Sequence, residues 1–280
     1  MRGVCSRKVL QEFESFAPVR AFVFPRPNAK PPTVMRQRAK VQLDNETRKR
    51  KNENKILNVP KGHKKNIMTE NEEFILESII SQIRMGLCSI EEIKEDIIEQ
   101  IEDNGFEDEI SEEWAFKHID NEWETLITES KQWKSPTDTE RLVKAFDELC
   151  ISNIIALHNA GYETSDGEYE VVEVERELRK NKKVSDGYCF YHKQDLERAL
   201  NEKNPYLYIA FQKVDNEDDN VTIGVGKKVV EVLKKHGFEV DWDEKPTNRI
   251  LIKNFKWQLV YNDNNRDLLD YDEVIKLMLK

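Results

Sequence analysis

Residues 154–167 read IIALHNAGYETSDG, and residues 187–201 read GYCFYHKQDLERALN. In each, a short apolar run ends at a histidine and passes into turn or helix chemistry. Four to six apolar residues, bounded by Gly, Asn and Asp, form the pattern of a strand buried on both faces. The two strands are placed at residues 154–159 and 188–192. Side chains alternate along a strand, so Ile154, Ala156 and His158 share one face. Tyr188, Phe190 and His192 likewise share one, with Cys189 and Tyr191 on the other. Strands this apolar need neighbours on both sides, and these two are expected to lie together in one sheet.

Working outward, further strands are predicted at residues 206–212, 238–241 and 249–252. Helices are predicted at 171–180, 194–201 and 223–235, with an acidic loop at 215–219 and a last helix at 271–279. Toward the N-terminus the period becomes helical. Phe74, Ile75, Ile79, Ile80 and Ile83 mark one apolar face. Ser89 with Glu92 is a capping box for a helix that Asn104-Gly105 stops. Trp114, Ile119, Trp123 and Leu126 belong to a third helix, and Ser135-Pro136-Thr137-Asp138 opens a fourth with Ser135 as its cap. The fold class is therefore α+β: a helical N-terminal subdomain at 68–134, a two-layer sheet-and-helix domain at 135–262 and a helical tail at 263–280.

Charge divides the chain again. Residues 1–67 hold 17 Lys/Arg and 5 Asp/Glu, a balance of +12, which leaves −22 for residues 68–280. The first segment, with PRPNAKPPTV and RKRKNENK, has no sustained period and reads as a disordered basic extension. Met68 opens MTENEEFILESI, which resembles a natural N-terminus, so the extension is read as non-native. No apolar run approaches the ~18 residues of a membrane helix. Cys5, Cys88, Cys150 and Cys189 show no paired spacing. Reduced thiols and a cytoplasmic location are expected.

The two histidine segments supply the candidate chemistry, because strand ends are where sheet proteins place ligand groups. A zinc site from His158, Cys189 and His192 is disfavoured: Cys189 and His192 are three apart on a strand and point to opposite faces. The same geometry opposes a Cys189–His192 dyad, and Cys189 between Tyr188 and Phe190 reads as a small buried hydrophobe. No metal and no cofactor are expected. Gly224-Val225-Gly226-Lys227 lacks the spacing and hydroxyl of a phosphate loop and reads as the first turn of a helix packed closely on the sheet. The two SDG triplets read as turns, with Asp166 and Asp186 bonding their own backbone and Gly167 and Gly187 supplying backbone freedom. The candidate binding surface is His158, Asn159, Tyr162, Asp166, Tyr191, His192 and Asp195.

The order ALHNAGYETSDG, GYCFYHKQDLERAL, LYIAFQ, IGVGKKVVEVLKKHGFEVDW and RILIKNFKW, over roughly residues 75–258, resembles a bacterial domain family of unknown function. Its shared elements are an NAGY-plus-SDG loop and a GY-x-F-[YF]-H-x-QD-x-E segment. The resemblance implies that residues 1–67 lie outside the domain, and that positions such as Gln194, Asp195 and Glu197 match the family pattern; it carries no activity.

A domain of −22 attracts cationic proteins and repels nucleic acid. The expected function is a protein-binding module or regulator whose partner is a basic protein, such as a toxin that it neutralises. Nucleic-acid binding by residues 68–280 is not expected. The alternative is a small-molecule enzyme or hydrolase using His158 and His192 as bases beside Asp166 or Asp195. Catalysis predicts the two imidazoles facing each other in a closed pocket; a binding module predicts the motif residues buried as scaffold.

Overall fold

The computed structural model of the chain describes residues 68–200, 203 and 205–280. The basic segment 1–67 lies outside the described residues, and so does Asn201, the expected end of one helix. Among the described residues eight helices and five strands follow in order: α1 (Glu70–Met85), α2 (Ile90–Asn104), α3 (Glu112–Ser130), α4 (Asp138–Ile151), β1 (Ile154–Leu157), α5 (Thr164–Lys180), β2 (Gly187–Phe190), α6 (Lys193–Ala199), β3 (Tyr206–Gln212), α7 (Asp219–Lys235), β4 (Glu239–Asp241), β5 (Ile250–Lys253) and α8 (Tyr271–Leu279).

Helices α1 to α3 begin at side-chain caps, Thr69, Ser89 and Ser111, and α1 and α2 end at left-handed Gly86 and Gly105. They enclose a hydrophobic cluster of their own, with Ile75, Ile79, Ile83, Ile93, Ile97 and Ile119 fully buried. The second cluster belongs to the sheet and includes Val274 and Met278 of α8, so the tail helix is part of the sheet's core. Helix α4 is capped by Thr137, not by Ser135. Ser135 instead donates to Glu140, which also accepts from the Thr137 amide. Cys150 and Cys189 are free and buried.

The sheet order is β1-β2-β3-β5-β4. β1 pairs with β2 in parallel, with Ile155 beside Tyr188 and Leu157 beside Phe190; the other pairs are antiparallel. The two histidine segments are thus neighbours, as expected. Registers assign every side chain to a face. Ala156, Cys189, Leu207, Ile209, Phe211, Ile250, Ile252 and Val240 share the face that α4 and α7 cover. Leu157, Phe190, Ala210, Tyr208, Tyr206, Leu251 and Lys253 share the other.

Coverage of that second face is uneven. A Cβ at Gly187 would overlap Val225 of α7, whereas one at Gly167 of α5 would overlap the Phe190 ring and the Ala160 carbonyl. Gly187 and Phe190 point to opposite faces, so helices lie on both sides of β2. Both glycines are therefore demanded by space rather than by backbone freedom, since neither has a positive φ. The expected two layers describe β3, β5 and β4; over β2, helix α5 adds a third. On β3 and β5 the second face remains half open, with Tyr206, Tyr208 and Leu251 only partly buried. The last strand, β4, is three residues long and turns Glu239 and Asp241 outward around Val240.

Candidate functional site

The segments leaving β1 and β2 run side by side. The Ala160 amide donates to the Tyr191 carbonyl at 2.8 Å and the Lys193 amide to the Gly161 carbonyl at 3.0 Å. This lacing needs Asn159 and Gly161 at φ +46° and +68°, which Asn tolerates and Gly adopts freely. Ser165, Asp166 and Gly167 do not form a turn: helix α5 begins at Thr164, earlier than the expected residue 171. The Asp166 carboxylate sits in the first helical turn and accepts from the Tyr162 and Glu163 amides, each at 3.2 Å. It shapes the loop instead of facing a ligand. Asp186, of the second triplet, bridges to Lys228 at 3.2 Å.

The lacing brings the two histidine backbones together but sends their rings apart. His158, at 1% exposure, stacks on Phe146 of α4 with ring centres 4.6 Å apart, and its Nδ1 lies 3.1 Å from the Tyr191 hydroxyl. Burial, with the positive charge of Arg266 second, pushes its pKa down to about 3. Tyr191 is fully enclosed between Phe146 and Trp257, and burial raises its hydroxyl well above the ordinary range. The neighbouring thiols are equally inert: burial pushes Cys150 up to about 12 and Cys189 well above its usual value.

His192 faces a different set of groups. Its Nε2 lies 3.1 Å from both Arg249 Nη1 and Asp195 Oδ2. With Nε2 protonated the ring donates to Asp195; with Nδ1 protonated, Nε2 accepts from Arg249. Burial, then Arg249 and Arg198, push His192 down to about 4, so it is neutral at physiological pH. Asp195 has no exposed surface and accepts from Arg249 at 2.9 and 3.0 Å and from Arg198 at 2.9 Å. Burial lifts its carboxyl, and the two guanidiniums pull it back. Two cations therefore share one buried carboxylate.

In front of this cluster lies an open cleft of about 430 Å³, lined by Tyr162, Gln194, Glu197, Arg198 and Tyr206. It continues onto the open sheet face, where Tyr206 and Tyr208 meet edge to face at 5.3 Å and the Arg249 guanidinium lies 5.0 Å from the Tyr208 ring centre. Of the sequence-derived residues, Tyr162 lines the cleft, Asp195 and His192 stand behind it, and Asp166 holds the loop that carries Tyr162. Asn159 shares that loop, with its Oδ1 buried and without a hydrogen-bond partner. His158 and Tyr191 belong to the core on the opposite face. Sequence reasoning missed Arg198, Tyr206, Tyr208 and Arg249. The signal for the tyrosines was present in YLYIAF, where Tyr206 and Tyr208 alternate with Leu207 and Ile209. Among the described residues no group of three or more His, Cys, Asp or Glu is placed to hold a metal ion.

The helical cluster, the sheet and the cleft fall within one stretch of chain. Residues 68–260 match the model of a family described as a domain of unknown function, DUF6891. The chain belongs to that family. Helix α8 follows the DUF6891 span yet packs on β1, so this chain completes its sheet core with residues beyond the match. No curated protein and no solved structure matches the chain.

Proposed function

We propose that this chain is a protein-binding module that works without catalysis, and that it docks a basic protein on the open face of β3 and β5. The observation that carries this reading is the tyrosine pair Tyr206–Tyr208 with Arg249 stacked beside it, left half exposed on a sheet whose other face is closed. Tyr and Arg are the residue types that dominate binding energy at protein interfaces, because they bring large, stiff contact area with polar tips. The balance of −22 over residues 68–280 favours a cationic partner and speeds its approach. The histidine chemistry that the enzyme alternative needs is poorly supported. His158 is sealed in the core, and His192 is held against Asp195 and Arg249.

A photo-crosslinker placed at Tyr206, with one at Ile80 as control, captures the partner, which is then purified and titrated. The expected result is a protein of net positive charge whose association rate falls steeply with salt. Its affinity is expected to drop about tenfold or more with Tyr206→Ala/Tyr208→Ala, the loss of one hot-spot cluster. A partner of net negative charge, or an affinity that the double variant leaves unchanged, refutes the reading.

A further inference from the structure

The cleft beside Tyr206 is lined by polar groups that the protein itself leaves unused. Among the described residues, the hydroxyls of Tyr162 and Tyr206, the side-chain amide of Gln194 and the carboxylate of Glu197 make no hydrogen bond or ion pair, unlike Tyr191, which meets His158, and Tyr261, which meets Asp263. Arg198 spends one nitrogen on Asp195 and, among the described residues, finds no partner for Nε or Nη2, with 40% of its side chain exposed. Asp195 is fully buried and fixed by Arg249 from behind, so Arg198 is a guanidinium already oriented by its own counter-ion. Four of the five lining residues can donate. Arg198 and Arg249 against the single carboxylate of Asp195, beside a neutral imidazole, leave an excess positive charge at the back of the cleft, which Glu197 opposes.

We propose that this cleft receives a carboxylate side chain, Asp or Glu, of the docked partner, which pairs with the free edge of Arg198 and accepts hydrogen bonds from Gln194 and the two tyrosines. This rests on the docking face proposed above and adds its anchor. A planar guanidinium with a free edge matches a carboxylate through two parallel N–H···O bonds, and its pre-orientation by Asp195 lowers the ordering cost of that match. The two electrostatic ranges then do separate jobs. The distant field of the acidic domain draws a basic protein in, and at contact the cleft demands the opposite sign at one point, which fixes the partner's register. Glu197 is the local opponent of this anion. Burial holds its carboxyl above the ordinary range, against the pull of Lys193 and Arg198.

The test reads the Arg198 Nε–Hε resonance directly by NMR in the full chain, using N-acetyl-glutamate methylamide, its glutamine counterpart, N-acetyl-lysine methylamide and inorganic phosphate as probes. The glutamate compound is expected to shift the resonance saturably and the glutamine and lysine compounds are not. Arg198→Gln should abolish the response that the glutamate compound evokes at the Gln194 side-chain amide. Glu197→Gln should tighten binding by about threefold or more, the size of one relieved like-charge contact at a surface. A lysine response lost in Glu197→Gln would make the cleft a cation pocket and overturn the proposal, as would silence toward every probe. Saturation by phosphate at tenfold lower concentration than by the glutamate compound would assign the cleft to phosphate instead. The two readings fail separately: if the tyrosine variants weaken the partner but Arg198→Gln does not, the docking face stands and the anchor falls.

Discussion

The two halves of the sheet treat the same kind of sequence differently. At β1 and β2 both faces are covered, glycines are set where helices touch the strands, and the histidine that ends β1 is absorbed into the core. At β3, β5 and β4 one face is covered and the other is open, and polar groups stand at its margin with their hydrogen bonds unspent. A polar residue at a strand end is therefore no evidence of function by itself. His158 and His192 each follow a strand, but the register sets His158 beside Tyr191 and His192 one residue further on, and only His192 borders a region that solvent reaches. What separates them is this one-residue offset, which turns the His158 ring under α4 and the His192 ring toward Arg249 and Asp195.

The sharpest way to break this comparison is Asp195. Replacing it by Ala leaves Arg249 and Arg198 facing each other without their shared carboxylate, and should destabilise the chain by about 3 kcal/mol or more, as removal of one member of a buried charge pair does. Urea unfolding measures it, and a loss below about 1 kcal/mol would mean that the cluster is surface-like.

The next largest effect is on pH. The folded chain keeps His158 neutral down to about pH 3, whereas the unfolded chain protonates it near 6.5. A base whose folded pKa is depressed supports stability fully above its unfolded value and loses it as pH falls toward the folded value. His192, pushed to about 4, acts in the same sense. Stability should therefore decline from pH 6.5 toward pH 4, by about 1.4 kcal/mol per pH unit for each histidine. In His158→Leu the slope between pH 6 and pH 5 should fall to about half. Equal slopes in the two proteins would show that His158 is not neutral and enclosed. At neutral pH, His158→Ala is expected to cost about 2–4 kcal/mol for the space it leaves beside Phe146 and Tyr191.

The smallest effect is at Asp166. Asp166→Asn weakens two backbone hydrogen bonds at the start of α5 and should lower stability by about 1 kcal/mol. Because the loop carries Tyr162, the same variant should blunt the cleft's response to the glutamate probe without abolishing it.

All five strands were legible in sequence, because apolar runs and their β-branched and aromatic residues are local signals. The caps Ser89 and Gly105 were legible for the same reason. The start of α5 was not. Ser165-Asp166-Gly167 has turn composition, but its Asp serves in the first helical turn and its Gly is required by the Phe190 ring, a contact 23 residues away in the chain. The candidate site was half legible. Tyr162, His192 and Asp195 lie in the segments that stand out, but Arg249 reaches Asp195 from the residue just before β5, 54 residues later, and no spacing rule announces such a pair.

The short, acidic β4 bears on how this molecule can associate. A sheet grows by adding strands at a free edge, and long, flat, apolar edges invite it. Here the β1 side is screened by α8, and the β4 side offers only three residues, a short template for a further strand. Backbone-to-backbone extension is discouraged at both margins, so the docking proposed above would have to be read by side chains on a face, one residue at a time.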